Sequence, residues 1–275
     1  MEMRWMILFI CLLTLQHTMA QHRTLFLAAG QSNAVGMGDS AAAVHCTAGT
    51  AFEYRYSGDA LVPLKDPVGY NELQFQKANS GSAWPAFAKA YHELTGNEVV
   101  IVPAARGGSS CHYKAELSNY GTWDNRGRLP LFDSAVIKAR AAASKTGLPV
   151  AGILWSQGER DANAVNAQQL SAAEYEQQLT LLIGQFRAAL GKEVNFYIIQ
   201  TGYYLNHPAQ DFDAIRKAQE NVAGKMKHVF IVYRETDHFK EKAWMKDEIH
   251  YNQTALNDIG AAVAKQVVLK EKKKP

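Results

Sequence analysis

A serine and an aspartate–histidine pair are the residues of this sequence best suited to nucleophilic chemistry. Ser32 lies in the tetrapeptide GQSN, and Asp247 precedes His250 by three residues. At that spacing the carboxylate can curl back to accept the imidazole Nδ1–H within one turn, which leaves Nε2 free to act as a base. A base so oriented activates a serine hydroxyl for attack on a carbonyl. The spacing alone is common, and His228 and His238 compete for the role.

Two further motifs supply hydrogen-bond donors. RGGSS begins at Arg106, and Gly107 and Gly108 allow backbone N–H groups to point at a ligand with no side chain in the way. WSQGERD places the amide of Gln157 and the carboxylate of Glu159 around a glycine. Taken singly, the GQSN serine can be a helix cap, RGGSS a turn, and WSQGERD a loop that satisfies its own backbone.

Other site chemistries find no support. The glycines at 30, 36 and 38 fit neither phosphate-binding spacing, and no lysine follows them. No CxxC, HExxH or clustered His/Cys pattern is present, so a metal site is not predicted. Cys11 lies in an N-terminal apolar run, and Cys46 and Cys111 could form one disulfide or remain separate thiols.

The apolar runs of the chain predict a buried parallel sheet. Nearly every residue in each run is apolar, as in strands that are covered on both faces. The runs are 24–29, 99–103, 150–155, 194–200 and 228–233.

Helical patterns fall between these runs. Ser171 and Glu174 form a capping box for a helix that Gly191 ends, a second helix ends at Gly96, and a third runs from about 253 to 269. Alternating strands and helices predict an α/β protein with three α/β/α layers and a doubly wound, mostly parallel sheet. Ligands bind beyond the carboxyl ends of such strands, where the fold brings the four motifs together.

Residues 39–79 lack periodicity and are predicted to form an irregular segment, with room for a hairpin, that walls one side of a cleft.

The chain ends predict a processed, exported protein. Residues 1–20 have Arg4, an apolar run and Ala20 before a polar stretch, which is typical of a secretory signal peptide cleaved after Ala20. The domain then spans 21–269, and residues 270–275 form a basic, disordered tail. The formal charge of the whole chain is +3, and the tail alone carries that excess, so the body is near neutral. A neutral body does not favour nucleic acid as a partner, and no membrane partner is expected after signal removal.

Taken in order, GQSN, GGS, WSQGE and DxxH resemble the motifs of the SGNH hydrolase superfamily. More narrowly, they resemble its sialic acid-specific acetylesterase-like branch, which includes the acetylxylan esterases of carbohydrate esterase family 6. The resemblance extends from Gly30 to His250. It implies a flavodoxin-like fold and a secreted or periplasmic serine esterase that needs no metal or organic cofactor.

The resemblance also assigns roles by position. Ser32 would be the nucleophile, His250 the general base and Asp247 its orienting partner. The backbone N–H groups of Ser32 and Gly107, with the side-chain amide of Gln157, would form the oxyanion hole, each donor contributing about 3 kcal/mol. Gly108 is the alternative to Gly107. The supporting or substrate-binding residues would be Gln31, Asn33, Arg106, Gly108 and Glu159, with Glu159 holding its loop or Arg106.

The substrate implied by the resemblance is an acetylated carbohydrate. The single-domain length favours O-acetylated plant polysaccharide over O-acetylated sialic acid. A lipase- or thioesterase-type hydrolase and a non-catalytic carbohydrate-binding protein are the alternatives. Aromatic residues near the motifs could stack a sugar ring or fill the core; they are Tyr113, Tyr120, Trp123 and Trp155. The oligomeric state is left open.

Overall fold

The architecture is that of a seven-stranded sheet between two layers of helices. A computed structural model describes residues 22–272. The strand order is β3-β2-β4-β1-β5-β6-β7, and all neighbours are parallel except β2 and β3. The strands are β1 (Arg23–Gly30), β2 (Ala51–Arg55), β3 (Ala60–Pro63), β4 (Glu98–Ala105), β5 (Val150–Ser156), β6 (Asn195–Ile199) and β7 (Val229–Tyr233).

The five predicted strands are confirmed, and they are consecutive, parallel members of the sheet. Every residue of β4 and β6 is buried, because helices cover both faces. The hairpin allowed for within residues 39–79 also exists: β2 and β3 pair antiparallel, with Arg55 opposite Ala60, and β2 extends the sheet beside β4.

Seven helices connect the strands within the described residues. They are α1 (Ser32–Val35), α2 (Trp84–Thr95), α3 (Phe132–Thr146), α4 (Glu159–Asn166), α5 (Ala172–Leu190), α6 (Ala209–Lys225) and α7 (Gln253–Glu271). The capping box predicted for α5 is present, with Ser171 Oγ accepting from Glu174 N. Gly96 ends α2 in the left-handed conformation that favours glycine.

The two helical layers bury separate apolar clusters. Helices α2 and α7 pack on one face, where Phe26, Phe87 and Ile259 belong to the same cluster. Helices α3, α5 and α6 cover the other face, where Leu27 and Phe186 belong to the second cluster. The predicted three-layer, doubly wound α/β fold is therefore confirmed.

The described chain ends differ from the predicted domain bounds at the C-terminus. Helix α7 continues to Glu271, whose carboxylate accepts a hydrogen bond from Tyr91 Oη at 2.9 Å, so the disordered tail does not begin at residue 270 as predicted. The predicted signal peptide, residues 1–20, lies outside the described residues. No helix among residues 22–272 is long and apolar enough to cross a membrane.

The two remaining cysteines are separate thiols. Cys46 packs against the α2/α7 cluster, whereas Cys111 belongs to the cluster on the opposite face of the sheet. Of the two alternatives, the disulfide is thus excluded by position. Burial raises the pKa of the Cys111 thiol well above its ordinary value, which favours an unreactive, protonated group.

Candidate active site

The central strands bring three of the four motifs to one edge of the sheet. The final residue of β1, Gly30, pairs with Ala105 of β4 on one side and with Ser156 of β5 on the other. GQSN, RGGSS and WSQGERD therefore begin next to one another. The DEIH motif reaches the same edge from the segment that precedes α7.

A cavity of ≈ 390 Å³ lies at this edge. Its walls contain five of the predicted residues, namely Gln31, Ser32, Gly107, Gly108 and His250. The remaining lining residues are Met37, Leu117, Tyr120, Arg160, Asn163, Tyr204 and Ile249. This size lies within the range of small-molecule sites in proteins.

The sharp turn after β1 places Ser32 at the cavity. Gly30 has φ +142°, a conformation that side chains rarely adopt, and a Cβ there would lie 2.0 Å from the carbonyl oxygen of Ser156. Gln31 N then donates to that oxygen at 3.0 Å. Ser32 is the first residue of α1 and Gln31 is its N-cap, so the helix-cap interpretation of Ser32 is wrong. As a first-turn residue, Ser32 has a backbone N–H with no acceptor in its own helix.

Replacing Gly30 by Ala is expected to destabilise the protein and displace Ser32. The added Cβ must push β5 away, and the alanine must adopt a strained backbone φ. We therefore expect the free energy of unfolding to fall by about 3 kcal/mol or more. Urea denaturation measures this loss. The control is Gly224→Ala in α6, where a Cβ meets no atom within 4 Å and where alanine favours the helix. Equal stability of the two variants would contradict the argument.

Asp247 and His250 form the predicted pair. His250 Nδ1 lies 2.8 Å from Asp247 Oδ2, and Asp247 Oδ1 accepts from the backbone N–H groups of Ile249 at 2.9 Å and His250 at 2.8 Å. Partial burial would raise the pKa of Asp247, but these hydrogen bonds outweigh it and hold that pKa below its ordinary value. The carboxylate is thus ionised and turned toward Nδ1, which orients the ring.

Asn33 connects the serine turn to this pair. Its Nδ2 donates to the carbonyl of Ile249 at 3.2 Å and to Glu159 Oε1 at 3.1 Å, while its Oδ1 accepts from Tyr251 N at 3.3 Å. One side chain therefore holds α1 against both the DEIH segment and the start of α4. Its predicted supporting position is consistent with these contacts.

Glu159 is buried and does not contact Arg106. Tyr251 Oη donates to the same Oε1 at 3.3 Å that Asn33 contacts, and burial raises the pKa of Glu159 above its ordinary value. Arg106 instead donates to the carbonyls of Gln74 at 2.6 Å and Asn119 at 2.7 Å. The expectation that Glu159 could hold Arg106 is therefore corrected, because the guanidinium is engaged by two neighbouring loops.

Gly107 and Gly108 occupy the middle of a tight turn closed by Ser109 N donating to Arg106 O at 3.3 Å. Gly108 has φ +72°, which favours glycine, and a Cβ built there would lie 2.7 Å from Tyr120 Cγ. A Cβ built on Gly107 would lie 3.8 Å from Ser32 Cβ, so its backbone is next to the serine. The Gly107 N–H donates to Gln76 Oε1 at 2.8 Å.

The structure does not bring Gln157 to the cavity. The side chain is fully buried, and its Nε2 contacts Asp161 Oδ2 at 2.5 Å, Ser109 O at 3.3 Å and Gln31 Oε1 at 3.4 Å. An amide has two hydrogens, so these three acceptors leave none for an oxyanion. The predicted third donor is thus engaged in linking the motifs. Gln31 does the same, since its Oε1 also accepts from Gly158 N and Arg160 N at 3.3 and 3.2 Å.

Replacing Gln157 by Ala is expected to cause a pH-dependent loss of stability. Burial raises the pKa of Asp161 to about 6, while N–H donors from Cys111, His112 and Gln157 oppose the rise. This pKa exceeds the ~3.9 of an unfolded aspartate, so stability falls as the pH rises from about 4 to 6. Removing the Gln157 donor raises the pKa of Asp161 further. We therefore expect the free energy of unfolding of the variant, measured by urea denaturation, to fall by about 1–2 kcal/mol more at pH 8 than at pH 5.

The same variant tests the oxyanion role. Loss of a true donor lowers kcat about 10²–10³-fold, whereas the contacts of Gln157 lead us to expect a loss below tenfold in protein that remains folded. Gln177→Ala on the exposed face of α5 is the control. A hundredfold fall in kcat with a stability loss independent of pH would reverse this assignment.

The aromatic residues near the motifs divide between core and cavity. Trp123 and Trp155 are fully buried and meet edge to face at 5.1 Å, so they are not sugar platforms. Tyr120 is 45% exposed and lines the cavity. Tyr113 is not among the lining residues. Tyr204, which sequence analysis missed, lies after β6, and the same strand-end rule that found the motifs could have found it.

The competing histidines lie elsewhere. His228 Nε2 contacts Glu193 Oε2 at 3.0 Å, and His238 lies 3.8 Å from Asp237. Neither lines the cavity. Across residues 22–272, no group of three or more His, Cys, Asp and Glu side chains is arranged to hold a metal ion.

Comparisons with known proteins place the chain among carbohydrate esterases. Residues 22–269 match the family described as carbohydrate esterase, sialic acid-specific acetylesterase. No curated protein matches the chain.

Three solved structures share its fold. A protein from Arabidopsis thaliana is 17% identical with a TM-score of 0.69, over 90% of this chain and 98% of that one. A carbohydrate acetylesterase from Xanthomonas citri is 21% identical with a TM-score of 0.56, over 90% and 57%. A carbohydrate esterase family 2 enzyme with a carbohydrate binding domain, from Corynascus thermopiles (Myceliophthora fergusii), is 11% identical with a TM-score of 0.52, over 91% and 67%.

The family match spans nearly all the described residues and includes all four motifs. The chain therefore belongs to the carbohydrate esterase, sialic acid-specific acetylesterase family and shares the α/β fold of these solved structures.

Proposed function

We propose that this protein is a secreted carbohydrate O-acetylesterase that removes acetyl groups from polysaccharide through Ser32, His250 and Asp247. The observation that carries the proposal is the Asp247–His250 hydrogen bond of 2.8 Å, made by a histidine that lines the same cavity as Ser32. No hydrogen bond joins Ser32 to His250 among the described contacts. Such bonds often shorten only when substrate binds.

The first step forms an acetyl-enzyme. His250 Nε2 takes the proton of Ser32 Oγ as Oγ bonds to the acetyl carbonyl carbon, and the carbonyl oxygen becomes an oxyanion. Backbone N–H groups of Ser32 and Gly107 donate to that oxyanion. The bond to the sugar oxygen then breaks, and His250 returns its proton to that oxygen as the alcohol leaves.

The second step releases acetate. Water attacks the acetyl-Ser32 carbonyl, His250 accepts its proton, and the same two N–H groups stabilise the second oxyanion. Collapse of this intermediate breaks the bond to Oγ, which recovers the proton from His250. Asp247 stays ionised throughout and stabilises the imidazolium that forms in each step. The chemistry of each step is complete with these side chains and water.

The walls of the cavity support a carbohydrate substrate. Tyr120 and Leu117 are 45% and 47% exposed and can lie against a sugar ring at the rim. Asn163 adds a polar side chain beside them. An acetylated polysaccharide fits this mixture of exposed apolar and polar surface, and the segment 1–20 supports an exported enzyme that meets such a polymer.

One observation favours sialic acid as a second candidate. Arg160 lines the cavity, and its Nε donates to Ala115 O at 2.8 Å. The two terminal amino groups of its guanidinium can bind a carboxylate in a bidentate manner. Sialic acid carries such a carboxylate, whereas an unsubstituted xylan does not.

Rates of ester hydrolysis distinguish these candidates, measured as acetate released from the carbohydrates and as nitrophenol released from the two nitrophenyl esters. Protein lacking residues 1–20 is incubated with acetylated xylan, with an O-acetylated sialic acid, and with nitrophenyl acetate and octanoate. The proposal expects the highest kcat/KM on acetylated xylan. A higher kcat/KM on the sialic acid that is lost in Arg160→Gln supports the second candidate. A higher kcat/KM on the octanoate ester indicates a lipase-type enzyme. Binding of xylan with no acetate released from any ester would overturn the esterase proposal.

A further inference from the structure

Gln76 engages the N–H group that the proposed chemistry requires. Its side-chain Oε1 accepts from Gly107 N at 2.8 Å. A Cβ built on Gly107 would lie 3.1 Å from this oxygen and 3.8 Å from Ser32 Cβ. The glutamine oxygen and the serine therefore approach the same glycine, and an ester carbonyl attacked by Ser32 must bring its own oxygen to the same donor.

The backbone of Gln76 is anchored, whereas its side chain is not. Gln76 N donates to Ala105 O at 3.0 Å, at the end of β4. Nearby, Glu72 forms a buried ion pair with Lys138 of α3 at 2.9 Å, which fixes the segment to the core. The Gly107 contact is the only hydrogen bond of the Gln76 side chain among the described residues. Rotation of that side chain therefore costs one neutral hydrogen bond and moves no backbone.

We propose that Gln76 is an internal competitor for the oxyanion hole. Its amide oxygen occupies the Gly107 donor when no ester is bound, and it rotates away when an acetyl carbonyl enters. An amide carbonyl and an ester carbonyl offer the same acceptor chemistry, so the two compete directly. This inference rests on the proposed function, because it assigns Gly107 as an oxyanion donor.

Removal of the competitor should increase catalytic efficiency. We expect Gln76→Ala to raise kcat/KM about fivefold, mainly through a lower KM, since a neutral hydrogen bond has a net value of ~1 kcal/mol. Gln76→Glu should have the opposite effect and lower kcat/KM about tenfold or more, because a carboxylate accepts more strongly. Gln74→Ala is the matched control, because it makes the same chemical change two residues away, at an exposed position of the same segment.

Two measurements test the proposal. Hydrogen exchange followed by NMR should show faster exchange of the Gly107 amide in Gln76→Ala, with the amide of Gly127, bonded to Asp124 O, as internal reference. Steady-state acetate release should show the two opposite changes in kcat/KM. Unchanged exchange overturns the contact, and faster exchange with unchanged or lower kcat/KM overturns the competition. A wild-type protein that releases no acetate overturns the proposed function, an outcome distinct from both.

Discussion

Ser32→Ala is expected to abolish ester hydrolysis while leaving the fold intact. The variant lacks the only side-chain atom proposed to bond to the acetyl carbon, and the remaining oxyanion donors cannot supply a nucleophile. In serine hydrolases this loss reaches roughly 10⁶-fold in kcat. Ser32 is buried, but the change removes one small hydroxyl, so we expect the free energy of unfolding to change by less than about 1 kcal/mol.

The measurement compares acetate release and circular dichroism of the wild type and the variant. Ser144→Ala on the exposed side of α3 is the matched control, because it makes the same chemical change away from the cavity. Wild-type rates in folded Ser32→Ala protein would show that another group attacks the ester.

Asp247→Asn is expected to lower kcat about 10⁴-fold by reversing the imidazole tautomer. The Oδ1 of Asp247 accepts from the N–H groups of Ile249 and His250, so an asparagine must place its own oxygen there. Its NH₂ group then faces His250 Nδ1, which has to act as an acceptor. The ring proton moves to Nε2, where it blocks the base that Ser32 needs.

This variant should retain its stability, since both backbone contacts and the side-chain contact to the ring are kept. Rates of acetate release and urea denaturation test both halves of the expectation. Asp133→Asn, at an exposed position in the first turn of α3, is the control. A kcat within tenfold of the wild type would mean that Asp247 does not orient the histidine during catalysis.

The sheet could be predicted because its strands are buried on both faces. Runs such as those of β4 and β6 contain almost only apolar residues, and this pattern does not depend on distant contacts. Helices α3 and α6 were not predicted. In α3 half of the buried residues are alanines and another is Lys138, whose charge Glu72 neutralises. In α6 Gln219 is buried. Polar residues at core positions hide the apolar stripe that marks a helix.

The site was predictable where it depends on strand ends. Ser32 and the Asp247–His250 pair could be proposed because parallel strands end at one edge and because a carboxylate can reach an imidazole three residues later. Gln76 and Asn163 could not be found in this way. Gln76 contacts Gly107, which lies 31 residues later in the sequence, from a segment without periodicity. The side chain of Gln157 points inward because Asp161, one helical turn later, accepts its hydrogen bond.

Labelling with an alkyl fluorophosphonate tests the central claim most directly. Such reagents react with a serine that an adjacent base activates, and the adduct is located by mass spectrometry of peptides. We expect one adduct on Ser32, its loss in Ser32→Ala and strongly slowed formation in Asp247→Asn. An adduct on another residue, or an unlabelled protein that still releases acetate, would contradict the assignment of Ser32 as the nucleophile.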